Sequence, residues 1–350
     1  MGALDKGYSK PNVYGSGLIS LDLVMNSNPD SPIYSWAGGT CGNVLAILGY
    51  LGWSAYPVAR LNGDSASVRV KSDLLRWGVN LDFAEQEPKA ATPIITQQIT
   101  KDREGNVKHK FSMNCPKCGA WFPHFKSVTL KPAKDVAEKM FNPQVFFFDR
   151  VSPGALLLAE KCKELGGVVF FEPSAKSDEK NLVKALELAD IIKYASDRFR
   201  DLISKYKIKK EYYIEIQTEG HLGLVYKASL KNFEIKSWKR INPYRVEKIK
   251  DSCGSGDWTT SGIIEKLCSR GISGLFDKSL EELEAGFAYG QALGAWNCQF
   301  EGARGGMYLV NRDVFTSEIK SIMQGERIPH PKDVCITDGV LRDVVCPSCV

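Results

Sequence analysis

The sequence has no run of about eighteen apolar residues, so no segment of it is expected to cross a membrane as a helix. Its opening stretch, MGALDKGYSK, holds no apolar signal core. Gly2 invites N-myristoylation, but Lys6 stands where that motif needs Ser or Thr. Internal repeats and low-complexity segments are missing from the 350 residues. So is a strong excess of one charge: a net +5 suits an anionic ligand such as a nucleotide without implying nucleic acid. The densest basic cluster, Lys205–Lys210 (KYKIKK), reads as a solvated face. A basic surface interleaved with aromatics, which a nucleic-acid binder needs, does not occur. Ten cysteines without a secretion signal point to reduced thiols in the cytoplasm, some of them available to metal.

The chain does have short apolar runs alternating with helical patterns. Asn12–Met25 reads as a strand with a turn, Gly42–Leu51 as a helix, and Tyr56–Arg60 as a short strand. Ser65–Trp77 is helical and stops at Gly78. Thr92–Thr100 and Val107–Met113 flank Asp102–Gly105 (DREG) and read as a hairpin. Gln144–Phe148 and Gly167–Phe171 are short and wholly apolar, the mark of central parallel strands, with helices at Ala155–Leu165 and Asn181–Leu188 beside them. Tyr212–Gln217 and Gly223–Lys227 form a strand pair, and Leu280–Trp296 is a helix rich in small residues. This alternation implies a doubly wound α/β core.

The chemistry concentrates in Asp251–Asp257 (DSCGSGD). Gly254 and Gly256 let backbone N–H groups turn toward one point, and the helix that opens near Trp258 adds positive potential there. This makes an anion pocket with one acid, Asp257, beside it. The natural task for that acid is to take a proton from a hydroxyl attacking a phosphoryl group. Taken alone, the stretch also reads as a helix N-cap after a flexible turn.

Other blocks narrow the choice. Gly38–Asn43 (GGTCGN) places a Gly-Gly pair before an Asn at a helix head. Leu61–Asp64 (LNGD) is followed by Leu74–Val79 (LLRWGV), Thr218–Gly223 (TEGHLG) and the pair Gly302–Ala303. In order and spacing these blocks resemble the PfkB carbohydrate kinases, the ribokinase-like family, over about residues 10–312, with Ser255 where Ala is usual.

The resemblance implies a three-layer α/β/α domain over residues 1–320 with a small β-sheet lid from segments near 12–36 and 92–125. It implies ATP-dependent phosphorylation of a sugar or nucleoside hydroxyl. Asp257 would be the base, and Gly254, Ser255 and Gly256 the anion hole. Asp22, Gly38, Gly39 and Asn43 would grip acceptor hydroxyls. Thr218, Gly220 and Gly223 would border the ATP phosphates and ribose, and Gly302 and Ala303 the adenine. Lids in the family often pair between subunits, which implies a homodimer. Read blandly, Asp22 is a turn residue, Asn43 a helix cap, and Thr218–Gly223 a loop between strands.

One block departs. The family organises Mg²⁺ through an Asn-x-x-Glu motif. In Asp190–Phe199 (DIIKYASDRF), Ala195 replaces the Asn and Arg198 the Glu, while Asp197 is one residue out of register. Mg²⁺ is still expected with ATP, because the phosphates need charge neutralisation. A weakly catalytic enzyme, or a sugar or nucleotide sensor on the same fold, is therefore the rival expectation. Glu172 is a further acid at a strand end, where α/β sites form.

The resemblance does not cover the pairs Cys115/Cys118 and Cys346/Cys349, two copies of Cys-Pro-x-Cys. Each suits a knuckle that aims two thiolates at one metal, and two knuckles supply the four sulfurs of a structural Zn²⁺ site. Sharing one ion requires the tail, residues 321–350, to return to the lid region. A redox pair, a His109 or His124 ligand, separate metals and a bridge between two chains are the alternatives.

Overall fold

The computed structural model describes residues 10–326 apart from residues 27, 29, 62, 86–89, 102, 105–106 and 175–176, and in the tail Val340, Cys346, Ser348 and Cys349. Gly2, Lys6, Asn62, Asp102 and Gly105 of the Asp102–Gly105 turn, and most of the tail lie outside the described residues.

Among the described residues, twelve strands make two sheets. They are β1 (Asn12–Ser16), β2 (Ser20–Met25), β3 (Tyr34–Gly38), β4 (Ser54–Pro57), β5 (Ile94–Lys101), β6 (Val107–Ser112), β7 (Pro143–Phe148), β8 (Val168–Phe171), β9 (Ile191–Ala195), β10 (Tyr213–Thr218), β11 (Leu224–Leu230) and β12 (Phe233–Ile241). The helices are α1 (Thr40–Leu51), α2 (Ser65–Arg76), α3 (Leu130–Lys139), α4 (Pro153–Glu164), α5 (Glu179–Leu188), α6 (Leu202–Lys205), α7 (Ser255–Leu267), α8 (Gly271–Phe276), α9 (Leu280–Asn297), α10 (Gly305–Leu309) and α11 (Arg312–Met323). No described helix is long and apolar enough to cross a membrane.

The large sheet runs β12-β11-β10-β9-β8-β7-β1-β4, and the small one β3-β2-β5-β6. From β10 to β4 the large sheet is parallel, and β11 and β12 close it antiparallel. Its middle strands are apolar throughout because both faces are covered. Alternate side chains divide between two cores. Phe147 and Phe170 join Val44, Ile263 and Phe287 of α1, α7 and α9. Phe146, Phe148 and Phe171 join Ala133, Leu158 and Leu186 of α3, α4 and α5. The result is a three-layer α/β/α domain with a small second sheet.

Three elements differ from the sequence expectation. Asn12–Met25 is two strands in different sheets, so β1 belongs to the large sheet while β2 belongs to the small one, with β3, β5 and β6. Strand β12 (FEIKSWKRI) is an edge strand whose exposed lysines mask its alternation. Helix α3 buries only Ala133, Val136 and Ala137, too narrow a stripe to stand out beside Pro132 and three lysines.

Candidate active site

The parallel strands bring their C-terminal ends to one edge, the place where α/β proteins build ligand sites. Arg150 lies just past β7, Glu172 past β8, Ala195 ends β9 and Thr218 ends β10. All four line a cavity of about 480 Å³. The small sheet forms the opposite wall through Asp22, Ile95, His109 and Phe111, and Gly254, Gly256 and Asp257 lie at the base.

Helix α7 begins at Ser255 because Gly254, its N-cap, takes φ 74. A Cβ there would also lie 2.4 Å from the carbonyl oxygen of Ala303, so only glycine fits. The first N–H groups of an α-helix have no partner within it and favour an anion there; here Ser255 N makes a long 3.3 Å contact to Ser252 O, outside the helix. Asp257 sits in this first turn. Burial and the nearby Glu172 carboxylate push its pKa well above the usual carboxylate range, against the pull of the Asn43 amide and Lys193. A carboxylate made more basic in this way suits accepting a proton.

Asn43 is buried and uses both ends of its amide. Its Nδ2 donates to Asp257 Oδ2 at 2.7 Å, and its Oδ1 accepts from Arg304 Nε at 3.0 Å. Because a guanidinium only donates, the oxygen end must face Arg304 and the NH₂ end must face Asp257. Arg304 is itself buried, donating also to Ala37 O and, at 2.8 Å, to Asp73 Oδ2. Tyr308 completes the network by donating to Asp73. Arg304, Asp73 and Tyr308 were not singled out in the sequence. A charged residue inside the otherwise small and apolar run after Gly302–Ala303 was the available signal.

Asp22 faces the cavity and accepts from Ser20 Oγ at 2.7 Å; burial raises its pKa. Gly38 must be glycine here, since a Cβ would fall 1.9 Å from Asp22 Oδ2. Gly39 caps α1 and lines the cavity with Asn43. Asp22, Gly39, Asn43, Gly254, Gly256 and Asp257 therefore meet at one cavity, with Gly38 packed behind Asp22 and Ser255 not among its lining residues. Thr218 joins them, but Gly220 and Gly223 stand in the turn beyond it and do not line the cavity. Gly302 and Ala303 lie behind the Gly254 turn rather than in an open slot. Gly302 N donates to Asp251 Oδ2 at 3.0 Å, and Ala303 O accepts from Trp258 Nε1 at 3.0 Å. Fully buried Asp251 also accepts from Cys253 N and from Gln97 Nε2 of β5, tying the anion loop to the small sheet.

Lys193 was missed as well. It is 1 % exposed, its Nζ lies 2.6 Å from Glu172 Oε1, and Thr260 Oγ1 donates to Glu172 Oε2 at 2.6 Å. A Cβ on Gly256 would have only this Nζ as a neighbour, at 3.8 Å. The cation thus sits opposite the first turn of α7. Lys193 stands within an apolar strand, which was the overlooked signal.

A family model for pfkB carbohydrate kinases matches residues 33–308. The chain belongs to the pfkB family of carbohydrate kinases. It is a small-molecule kinase of ribokinase-like fold, and at that coarse level its reaction is ATP-dependent phosphorylation. No curated protein matches the sequence. Among similar solved structures is a nucleoside kinase of Burkholderia thailandensis in complex with inosine: 18 % identity, 89 % of this chain and 98 % of that one, TM-score 0.61. A fructokinase of Xylella fastidiosa with bound ATP has 17 % identity, 90 % and 99 % coverage, and TM-score 0.64. A ribokinase of Giardia lamblia has 14 %, 91 % and 99 %, and 0.66.

In this PfkB kinase the residues at the family's Mg²⁺ positions do not fit a protein-organised ion. Ala195 offers no ligand and Arg198 brings positive charge to the cavity wall, while Glu172 is already held by Lys193 and Thr260.

The four knuckle cysteines meet. Their Sγ atoms all lie within 4.8 Å of one another, with 3.7 Å between Cys115 and Cys349 and between Cys118 and Cys346. Sulfurs about 2.3 Å from a tetrahedral Zn²⁺ stand roughly 3.8 Å apart. The four are free thiols, and 3.7 Å is far beyond a disulfide of about 2.05 Å. The cluster is therefore compatible with zinc.

Proposed function

We propose that this kinase transfers the γ-phosphoryl group of ATP to a hydroxyl of a sugar or nucleoside, with Asp257 as general base. The observation that carries this reading is the position of Asp257: first turn of α7, beside Gly254–Gly256, at the base of the cavity, with its carboxylate made more basic than usual. The Asp257 carboxylate takes the hydroxyl proton. The hydroxyl oxygen forms a bond to the γ-phosphorus, and the bond from that phosphorus to the ADP oxygen breaks. The N–H groups of Ser255 and Gly256 and the Lys193 ammonium hold the charge on the transferred group. Asp22, Gly38, Gly39 and Asn43 bind acceptor hydroxyls. Thr218, with Gly220 and Gly223 in the turn beyond it, borders the nucleotide, whose base extends toward the Gly302–Ala303 side. Mg²⁺ enters as the counter-ion of ATP, and no step is assigned to it.

Residues 1–320 form the kinase domain and 321–350 a tail whose thiolates, with Cys115 and Cys118, hold a structural Zn²⁺. A cytoplasmic setting suits these free thiols. Exposed Phe111, Met113 and Trp121 at the β6 side of the lid support pairing of two lids in a homodimer.

Ala195 and Arg198 favour one other reading, a binding-only protein on the same fold. An ADP-release assay across ribose, fructose, inosine and adenosine separates the two. Acceptor-dependent ADP release supports the kinase, and saturable binding without release supports the sensor.

A further inference from the structure

The metal centre lies next to the acceptor wall. Met113, which lines the cavity, is two residues before Cys115. The knuckle folds straight back on it: Cys115 N donates to Ala120 O and Phe122 N to Met113 O, each at 2.8 Å. Buried Phe122 packs in the core that holds Cys115 and Cys346. Any displacement of the knuckle therefore moves the Met113 backbone and the end of β6.

The tail also touches the other side of the lid. In the small sheet β6 and β3 are the two edges, each paired with one neighbour. Val340 forms an antiparallel bridge to Tyr34 of β3 and packs against the cluster of Val24, Tyr34, Trp36 and Ile99. Six residues later Cys346 reaches the knuckle after β6. Upstream of these contacts the chain is fixed to the large domain by α11, which buries Phe315 and Ile319 with Trp296 of α9. One stretch of chain is thus anchored to the main domain at α11 and to both edges of the lid.

We propose that a tetrathiolate Zn²⁺ centre straps the C-terminal tail across both edges of the small sheet, fixes the wall that carries His109, Phe111 and Met113, and thereby sets acceptor affinity. The effect on the acceptor rests on the kinase reading above; the strap itself does not. Edge strands held only by one neighbour open at low free-energy cost, and an external anchor suppresses that opening. Zinc supplies the anchor because four thiolates at tetrahedral spacing bind it tightly only when both knuckles are docked. Asp257 lies at the base of the cavity, on α7 and not on the small sheet, so the strap acts first on acceptor binding.

The test uses the full chain in four forms: as purified without chelator, stripped by chelator, re-loaded with Zn²⁺, and as the Cys346→Ser/Cys349→Ser variant. Metal analysis should find about one Zn²⁺ per chain as purified and almost none in the variant. Amide exchange in β3 and β6 should quicken by about tenfold on stripping and recover on re-loading, with β7 and β8 unchanged throughout. The KM for ribose or inosine, whichever is turned over, should rise about tenfold in metal-free protein while the KM for ATP holds. Absence of zinc overturns the proposal, as does zinc whose removal leaves exchange in β3 and β6 unchanged. So does a loss of protection that includes β7 and β8, since the ion would then hold the whole fold. If none of ribose, fructose, inosine and adenosine is phosphorylated, the sugar or nucleoside reading fails by itself and the exchange data still decide the strap.

Discussion

Asn43 Nδ2 donates a 2.7 Å hydrogen bond to Asp257 Oδ2, joining the head of α1 to the first turn of α7 across 214 residues of chain. The contact favours the charged carboxylate in a place where burial and Glu172 disfavour it. Basicity at Asp257 is thus a balance, raised by burial and Glu172 and restrained by the Asn43 amide and Lys193.

Replacing Asn43 should tip that balance. Asn43→Ala removes a hydrogen bond that favours the charged carboxylate, which raises the Asp257 pKa further. A base works only when deprotonated, so the acid limb of the kcat–pH profile should move to higher pH. The profile measured at saturating acceptor checks this, and an unmoved limb contradicts it.

Arg304 should matter first to stability. Its guanidinium holds Asn43, Ala37 O and Asp73 inside the domain. Arg304→Met leaves Asp73 without that partner and should cost about 3–5 kcal/mol. Calorimetry should find a lower Tm, and adding Asp73→Asn should return part of it, because the orphaned charge is then removed.

Lys193 is the cation facing the anion loop. Lys193→Met should lower kcat by about 10²–10³-fold, as expected for a group that stabilises transferred charge, and it should also lower Tm because Glu172 is left without its buried partner. A kcat within about threefold of wild type would remove Lys193 from the chemistry.

The raised pKa of Asp257 also predicts a stability effect with a definite sign. The folded state holds this proton more tightly than the unfolded chain, so ionisation costs folding free energy as pH rises from the ordinary carboxylate range through the raised value. Asp257→Asn keeps an acceptor for Asn43 and avoids that cost. Its Tm should exceed that of wild type at neutral pH, and the gap should close below the unfolded carboxylate pKa, near ~3.9. Equal Tm values at pH 7 contradict this.

Much of this site was legible in the sequence because it rests on backbone rules. The Gly254 turn and the Gly38–Gly39 pair are positions where a Cβ would collide with its neighbours, so they leave marks in any chain that builds them. The apolar runs of β7 and β8 announced a two-sided sheet for the same reason. The two knuckles declared their ligands, and the structure brings all four sulfurs together. What stayed hidden depends on distant pairing. Lys193 with Glu172, and Arg304 with Asp73 and Asn43, are ordinary charges until the fold removes water from them. Gly302 and Ala303 support the Gly254 turn from behind, a placement set by tertiary packing that no local pattern encodes.

The central claim is that Asp257 takes the acceptor proton. The most direct measurement compares wild type with Asp257→Asn for ATP affinity by calorimetry and for acceptor-dependent ADP release. The account predicts ATP affinity within about threefold of wild type and turnover reduced by about 10²–10⁴-fold. Turnover equal to wild type would contradict it.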